Sequence, residues 1–275
     1  MTTKPLLSFI IPSLNEEKYI EDTINSIHST MNDSPFEIIL SDNGSTDNTQ
    51  SIARSLGATV VIDATANIGQ LRNLGVKAAN GSIYIFIDSD VNLAKDWLQN
   101  FSLESKNWPK DDLIVTGSTC LTPQSGNFIE TNWFSKLKTA DTSYINSGHL
   151  ITTKAMFELI SGFDKSLKTS EDYDFCQRAK MSGGKIIKAP SIKAFHHGYP
   201  SSITAFILRE SWHGREDVSS FKKFTNSKTA IASLINALLI ASGIFFLINT
   251  NFLISFLFLF SSIILCFALT LFKFG

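Results

Sequence analysis

The chain has 275 residues, 44% of them hydrophobic, enough for one large or two small domains with a buried core. Its formal net charge of −1 gives no electrostatic footprint for a nucleic-acid partner. The three cysteines, Cys120, Cys176 and Cys266, are odd in number and scattered; they form neither a disulfide framework nor a zinc spacing, which fits a reducing compartment.

Taken in order, the first ~120 residues alternate strand and helix. Leu6–Ile11 is an apolar run followed at once by Asn15-Glu16-Glu17, too short for a signal-peptide core, and reads as a strand ended by Pro12. Asn15 is positioned to cap a helix with an acidic first turn, whose buried face is Ile20, Ile24 and Ile27. Phe36–Leu40 is a second strand, running into Ser41-Asp42-Asn43-Gly44-Ser45-Thr46-Asp47. Ser45 is the expected cap of the next helix and Gly57 its stop. Thr59–Ile62 is a third strand, and a helix from about Gln70 to Ala79 follows.

The next strand, Ile83-Tyr84-Ile85-Phe86-Ile87, is apolar at every position, the pattern of a strand covered on both faces in a parallel sheet. This β-α-β-α-β-α-β succession predicts right-handed crossovers and a mostly parallel, doubly wound α/β sheet. Ligands of such sheets bind beyond the carboxyl ends of the strands, where Asp88-Ser89-Asp90 falls. Two carboxylates one residue apart can hold a hard divalent cation that shares a diphosphate; alone, they read equally as a solvated acidic turn. Asp42, at another strand end, can accept from a base or ribose, or simply bond its own turn.

The tail differs in kind. Between Lys228 and Lys273 there is no charged residue, and Asn249-Thr250-Asn251 divides the stretch into two apolar segments of about 20 residues, the length that crosses a bilayer. Neither keeps the polar face of a globular helix. Lys222, Lys223 and Lys228 precede the first segment, Lys273 follows the second and the link is uncharged. The positive-inside rule therefore expects a transmembrane hairpin in the cell (plasma) membrane with both ends, and the preceding domain, in the cytoplasm. Asn236, Ser242 and Gly243 suit helix–helix packing.

Ile10-Ile11-Pro12-Ser13-Leu14-Asn15-Glu16-Glu17, Ser41 to Asp47, Asn67-Ile68-Gly69-Gln70-Leu71-Arg72-Asn73 and Ile87-Asp88-Ser89-Asp90 resemble, in this order, the successive signatures of family 2 glycosyltransferases. Ser161-Gly162-Phe163-Asp164 and Ser170-Glu171-Asp172-Tyr173-Asp174-Phe175-Cys176-Gln177-Arg178 are similar to that family's Gly-Phe-Asp and Glu-Asp segments, so the resemblance covers about residues 5–215.

The resemblance implies a GT-A fold over 1–227, with a nucleotide-sugar-binding half (1–118) and an acceptor-binding, catalytic half (119–227), followed by the hairpin at 228–275. It implies an inverting transfer from a nucleotide-diphosphate sugar, UDP-linked, to a saccharide or lipid-linked hydroxyl acceptor in cell-envelope polysaccharide or glycolipid synthesis. Pro12, Ser13, Asn15 and Asp42 would line the donor pocket, Arg72 would approach the base or diphosphate, and Asp88 the ribose. Asp90, with Asp88 and His196, would hold Mg²⁺ or Mn²⁺. Asp172 would be the base, with Glu171 orienting it or touching the acceptor.

Each has a plainer alternative: Glu171 and Asp172 complement a helix dipole, and His196 and His197 are ordinary loop. Arg209 and Arg215 would grip donor phosphate or face lipid headgroups, and Trp133 and Phe134 stack on a sugar or pack in a core. Two departures from the family pattern are Asn43, where Asp is commoner, and Lys154, where Arg is. A polyprenyl-phosphate glycosyltransferase and a non-catalytic nucleotide-sugar-binding scaffold are the competing functions. A sugar nucleotidyltransferase is disfavoured, because its Gly-rich, Arg-containing N-terminal loop is absent.

Overall fold

The computed structural model describes residues 6–31, 34–108, 113–123, 128–129, 133–134, 144–200 and 202–274. The chain forms two compact units, Met1–Phe206 and Ile207–Gly275.

In the first unit, β1 (Leu7–Ser13), β2 (Phe36–Asp42), β3 (Thr59–Ile62), β4 (Ile83–Ile87), β6 (Ile114–Gly117), β7 (His149–Thr153) and β8 (Lys185–Lys188) form one sheet in the order β3-β2-β1-β4-β7-β6-β8. β5 (Val91–Leu93) and β9 (Ala194–His196) pair separately. In the large sheet β7 alone among the described strands is reversed, antiparallel to both β4 and β6, so the sheet is mostly parallel as expected.

Both faces are covered, and alternate residues of the central strands divide between them. Phe9, Ile11, Ile83, Ile85 and Ile87 pack with Ile20, Ile24 and Ile27 of helix α1 (Ile20–Met31) and with Trp97 of α4 (Trp97–Ser105). Ile10, Tyr84 and Phe86 face the other way, onto Phe163, onto Met156 and Phe157 of α5 (Lys154–Leu159) and onto Phe175 of α6 (Glu171–Met181). An all-apolar strand is what two buried faces require. Helices α2 (Thr49–Ser55) and α3 (Ile68–Ala78) complete the crossovers.

Three local expectations are corrected. Pro12 does not end β1; it pairs opposite Ser41, in the part of β1 beyond the β4 register, where a missing N–H interrupts no second ladder. Asn15 does not cap α1, which starts at Ile20; with φ 55 it turns the chain sideways instead. Ser45 does not cap α2, whose cap position is Asn48, because its hydroxyl is taken by Asp42. Gly57 does end α2 in the left-handed conformation, φ +84. The Asn67 and Gln70 side chains form a capping box at α3.

In the second unit, α7 (Ile203–His213), in which the division between units falls, is followed by α8 (Phe221–Asn226) and the helices α9 (Lys228–Ile248) and α10 (Phe252–Phe274). The last two are long and apolar enough to cross a membrane, and little of either is buried within the chain. Ser262 Oγ donates to Asn236 Oδ1 at 2.7 Å and Ser255 Oγ to the Gly243 carbonyl at 2.8 Å, the pairing of an antiparallel hairpin. Gly243 lets Leu259 approach closely.

On α3, Gly75 lies against the sheet: a Cβ there would meet Ile10 Cγ2 at 2.5 Å and Ser41 Oγ at 2.6 Å. Gly75→Ala gains up to about 1 kcal/mol of helix propensity but overpacks a fully buried isoleucine, so a net loss of about 1–3 kcal/mol is expected. Thermal unfolding measures this; an unchanged Tm would show that α3 does not sit this close.

Candidate active site

Parallel strands deliver their carboxyl ends to one edge, and the reversed β7 brings its start to the same edge, Ile87 pairing with His149. The residues after β1, β2 and β4 and those before β7 therefore meet. Because β9 runs antiparallel to β5, Val91 faces His196, which sets His196 beside Asp90.

Asp88, Asp90 and His196 each offer one ligand atom within 4.8 Å of the others. His196 Nε2 lies 3.5 Å from Asp90 Oδ1, and its buried Nδ1 has no hydrogen-bond partner. Gly198 is pressed so near that a Cβ would overlap the Asp90 carboxylate. Burial pushes the Asp90 carboxyl above its ordinary range, with Asp88 adding to the rise and His196 opposing it. Two carboxylates and an imidazole fit a divalent cation, which would relieve that strain.

Glu16 was not singled out in the sequence, where Glu16-Glu17 reads as a helix start. Its amide is held by Thr49 Oγ1 at 2.7 Å and its carboxyl is pushed up to about 7, by burial first and then by Asp90, Asp88 and Asp47.

Arg72 joins the metal-ligating group to the other acid pair. Its side chain is 3% exposed; one terminal nitrogen donates to Asp88 Oδ1 at 3.1 Å, the other to Glu171 Oε1 at 2.7 Å, and the guanidinium lies 5.5 Å from the Phe163 ring centre. Ser147 Oγ also donates to Glu171 Oε1, at 3.3 Å.

The neighbouring Asp172 is buried, accepting from the Tyr173 amide at 2.7 Å and the Ser147 amide at 3.3 Å. Burial, then the Glu171 charge, raises its carboxyl to about 6. Ser170, just before α6, holds a left-handed φ of 62 with no side-chain cap, a local cost of about 1–2 kcal/mol borne beside the acid pair.

At the far strand ends the contacts are mostly structural. Asp42 Oδ1 accepts from the Gly44 amide (2.9 Å), the Ser45 amide (2.7 Å) and Gln50 Nε2 (2.7 Å), and Oδ2 from Ser45 Oγ (2.6 Å). Its turn chemistry is thus observed. Asn15 takes the Thr46 amide at 2.9 Å and gives its own amide to Ser45 Oγ at 2.8 Å, tying the first two loops together. Pro12 and Ser13 are buried, and Ser13 Oγ has no partner.

Arg209 pairs with Glu210 at 2.8 Å and Arg215 is exposed; both belong to the second unit. Lys154 lies 3.8 Å from Glu158. Phe134 stacks on Tyr199 and Trp133 meets Phe206 edge-on.

A neutral relay beneath the edge has no signature in the sequence. Trp97 Nε1 donates to His149 Nε2 at 2.8 Å, which leaves the ring proton on Nδ1 for Ser118 Oγ at 2.9 Å, and Ser118 donates to the Ile192 carbonyl at 2.6 Å. Burial lowers His149 to about 4. The chain of bonds fastens β7 to the segment that enters β9.

Replacing Arg72 by Met leaves Glu171 buried without its cation. A loss of about 3–5 kcal/mol is expected at that end, with the more open Asp88 end adding little. Arg72→Lys should recover part of it. Denaturant unfolding reads the difference, and a Met variant as stable as the parent would refute the bridge.

Residues 8–157 match the family described as glycosyl transferase family 2. The chain is 25% identical over 211 residues to glycosyltransferase AglE of Haloferax volcanii, covering 72% of this chain and 69% of that protein. It is 26% identical over 207 residues to the poly(ribitol-phosphate) beta-N-acetylglucosaminyltransferase TarS of Staphylococcus aureus, covering 69% of this chain but only 35% of TarS. In fold it is similar to the mannosyltransferase PcManGT from Pyrobaculum calidifontis, solved with GDP-Man and Mn²⁺ (TM-score 0.61, 18% identity, 95% of this chain and 76% of that one). It is likewise similar to residues 1–349 of S. aureus TarS with UDP-GlcNAc (TM-score 0.57, 18% identity, 90% and 89%). With more than half its length matched and the GT-A architecture in place, the chain belongs to glycosyltransferase family 2.

Proposed function

We propose that this enzyme is a membrane-anchored, inverting transferase that moves a sugar from a UDP-linked donor to a hydroxyl of a cell-envelope glycan or glycolipid, with its catalytic domain in the cytoplasm. The observation that carries the proposal is Arg72, whose ion pairs with Asp88 and Glu171 support reading the Asp88–Asp90–His196 group and the Glu171–Asp172 pair as parts of one site. That arrangement supports a leaving diphosphate at one end and an activated hydroxyl at the other.

Asp88, Asp90 and His196 would hold the cation, Mn²⁺ or Mg²⁺; when bound, it stabilises charge on the departing diphosphate as a Lewis acid. Ser13, with its spare hydroxyl, and Pro12 would border the donor. Asp42 and Asn15 would act there through the loop they shape, and Arg72 would contribute positive charge toward the phosphates. Asp172 would take the acceptor proton: its carboxyl is raised to about 6, close to a working pH, which strengthens it as a base while leaving it ionised at neutrality. Glu171, fixed by Arg72 and Ser147, would orient the acceptor. A single displacement of this kind inverts the anomeric centre. The names of relatives support nucleotide-sugar donors and Mn²⁺, in TarS with UDP-GlcNAc and in PcManGT with GDP-Man.

A polyprenyl-phosphate acceptor is already ionised and needs no base; the buried, raised Asp172 favours the hydroxyl. Asp172→Asn should lower transfer by about 10²–10⁴-fold while metal-dependent UDP binding persists by calorimetry. Full transfer by this variant would remove the base assignment. Parent protein that binds donor yet neither hydrolyses nor transfers it would be a scaffold.

The base must be deprotonated, so kcat/KM for the acceptor should fall on acidification with a midpoint near 6. A pH profile flat down to 4.5 would contradict this. Asp90→Ala should abolish the response of UDP binding to added Mn²⁺, whereas an undiminished response would place the cation elsewhere.

A further inference from the structure

The metal-ligating group does not stand on one support. Asp88 follows β4 in the seven-stranded sheet, whereas Asp90 precedes β5 and His196 ends β9, a separate two-stranded sheet of three residue pairs. Two short strands are marginal alone, so the small sheet takes its setting from what fastens it to the large one. Val91, Leu93 and Ala194 bury it, but apolar burial has no direction, and ligand atoms must be held to within about 0.2 Å.

The buried His149 side chain supplies a directional tie. It stands at the head of β7 in the large sheet, opposite Ile87, the residue before Asp88. Its Nε2 accepts from Trp97, just past β5, and through Nδ1 and Ser118 it reaches the Ile192 carbonyl, just before β9. One imidazole therefore grips both strands of the small sheet. An indole N–H only donates, so every bond in the chain points the same way and a single ring tautomer fits. Trp97 is itself fixed, fully buried and stacked on Phe101 at 5.1 Å. A Cβ on Gly117 would overlap the His149 carbonyl, so glycine there lets Ser118 approach. The segment from Ser118 runs on to Leu121, whose amide donates to the Ala194 carbonyl at 2.7 Å and whose carbonyl accepts from the His196 amide at 2.9 Å.

We infer that His149 is a positioning residue for the metal-ligating group, setting Asp90 and His196 on the small sheet against Asp88 on the large one. The inference rests on the cation role proposed above for those three residues. Any buried imidazole needs partners; these partners are the two segments that flank the small sheet.

The test measures Mn²⁺ binding to full-length protein in nanodiscs by electron paramagnetic resonance of the free ion, without nucleotide or acceptor. His149→Leu keeps the bulk and removes both bonds. It should weaken Mn²⁺ about tenfold, the low end of what groups that orient metal ligands contribute. His149→Gln can accept from Trp97 and donate to Ser118, and should restore most of the affinity. Met31→Ala opens a cavity near the start of β1, at the opposite edge of the sheet; it should lower Tm and leave Mn²⁺ binding unchanged. If His149→Leu does not fold, Ser118→Ala removes only the last link and should weaken Mn²⁺ in the same direction.

Parent affinity in His149→Leu, no recovery with His149→Gln, or an equal loss in Met31→Ala would make the relay structural alone and overturn the inference. Asp90→Ala separates the two readings. If it abolishes Mn²⁺ binding while His149→Leu leaves it intact, the positioning role alone fails. If Asp90→Ala binds Mn²⁺ like the parent, the cation assignment fails and the inference with it.

Discussion

The site depends on one buried cation. Arg72 sits between Asp88 at the end of β4 and Glu171 at the start of α6, residues 99 apart from it in one case and 16 in the other. Without it, two acidic elements would be brought together at a cost that packing alone would have to offset. With it, their mutual repulsion becomes a shared attraction, and the two halves of the chain acquire a fixed register at the point where chemistry is expected. Phe163 beneath the guanidinium, and the Asn73 side chain, which donates to the Phe163 carbonyl at 2.8 Å and accepts from its amide at 2.9 Å, hold the same junction from α3.

Around that junction burial sets the acidities. Asp172 and Glu16 both lie above their ordinary values because water is excluded and because carboxylates crowd one another. Asp90 moves the same way, and the imidazole of His196 answers it only in part. A region that gathers this much unneutralised acid is disposed toward a divalent cation, and the loops are organised to permit it: Gly148 and Gly198 let backbone pass against the carboxylates of Asp88 and Asp90.

What was legible in the sequence was whatever a short window encodes. The all-apolar run at 83–87 specifies a strand covered on both faces, the β-branched run Thr59–Ile62 coincides with β3, and the Asp-x-Asp follows directly on the end of β4. The charge-free tail divided correctly at Asn249. Less legible was anything decided by a contact far along the chain. Asn15 looks like a cap until Thr46 claims its side chain, and Ser45 until Asp42 does. Glu16 passes for helix dipole chemistry until the loop turns it toward Asp88 and Asp90. The reversal of β7 and the Trp97–His149–Ser118 relay have no local signature, because each is fixed by partners 31 to 74 residues away.

The two polar pins within the hairpin carry a consequence for how the enzyme would meet its substrates. In hydrocarbon, Ser262–Asn236 and Ser255–Gly243 would have no competing water, so the helices would keep one rotational setting. A domain carried on two helices of membrane-crossing length would search a plane instead of a volume. Any partner confined to that same sheet of lipid would then be met at an effective concentration set by surface density, and modest intrinsic affinity would suffice for turnover.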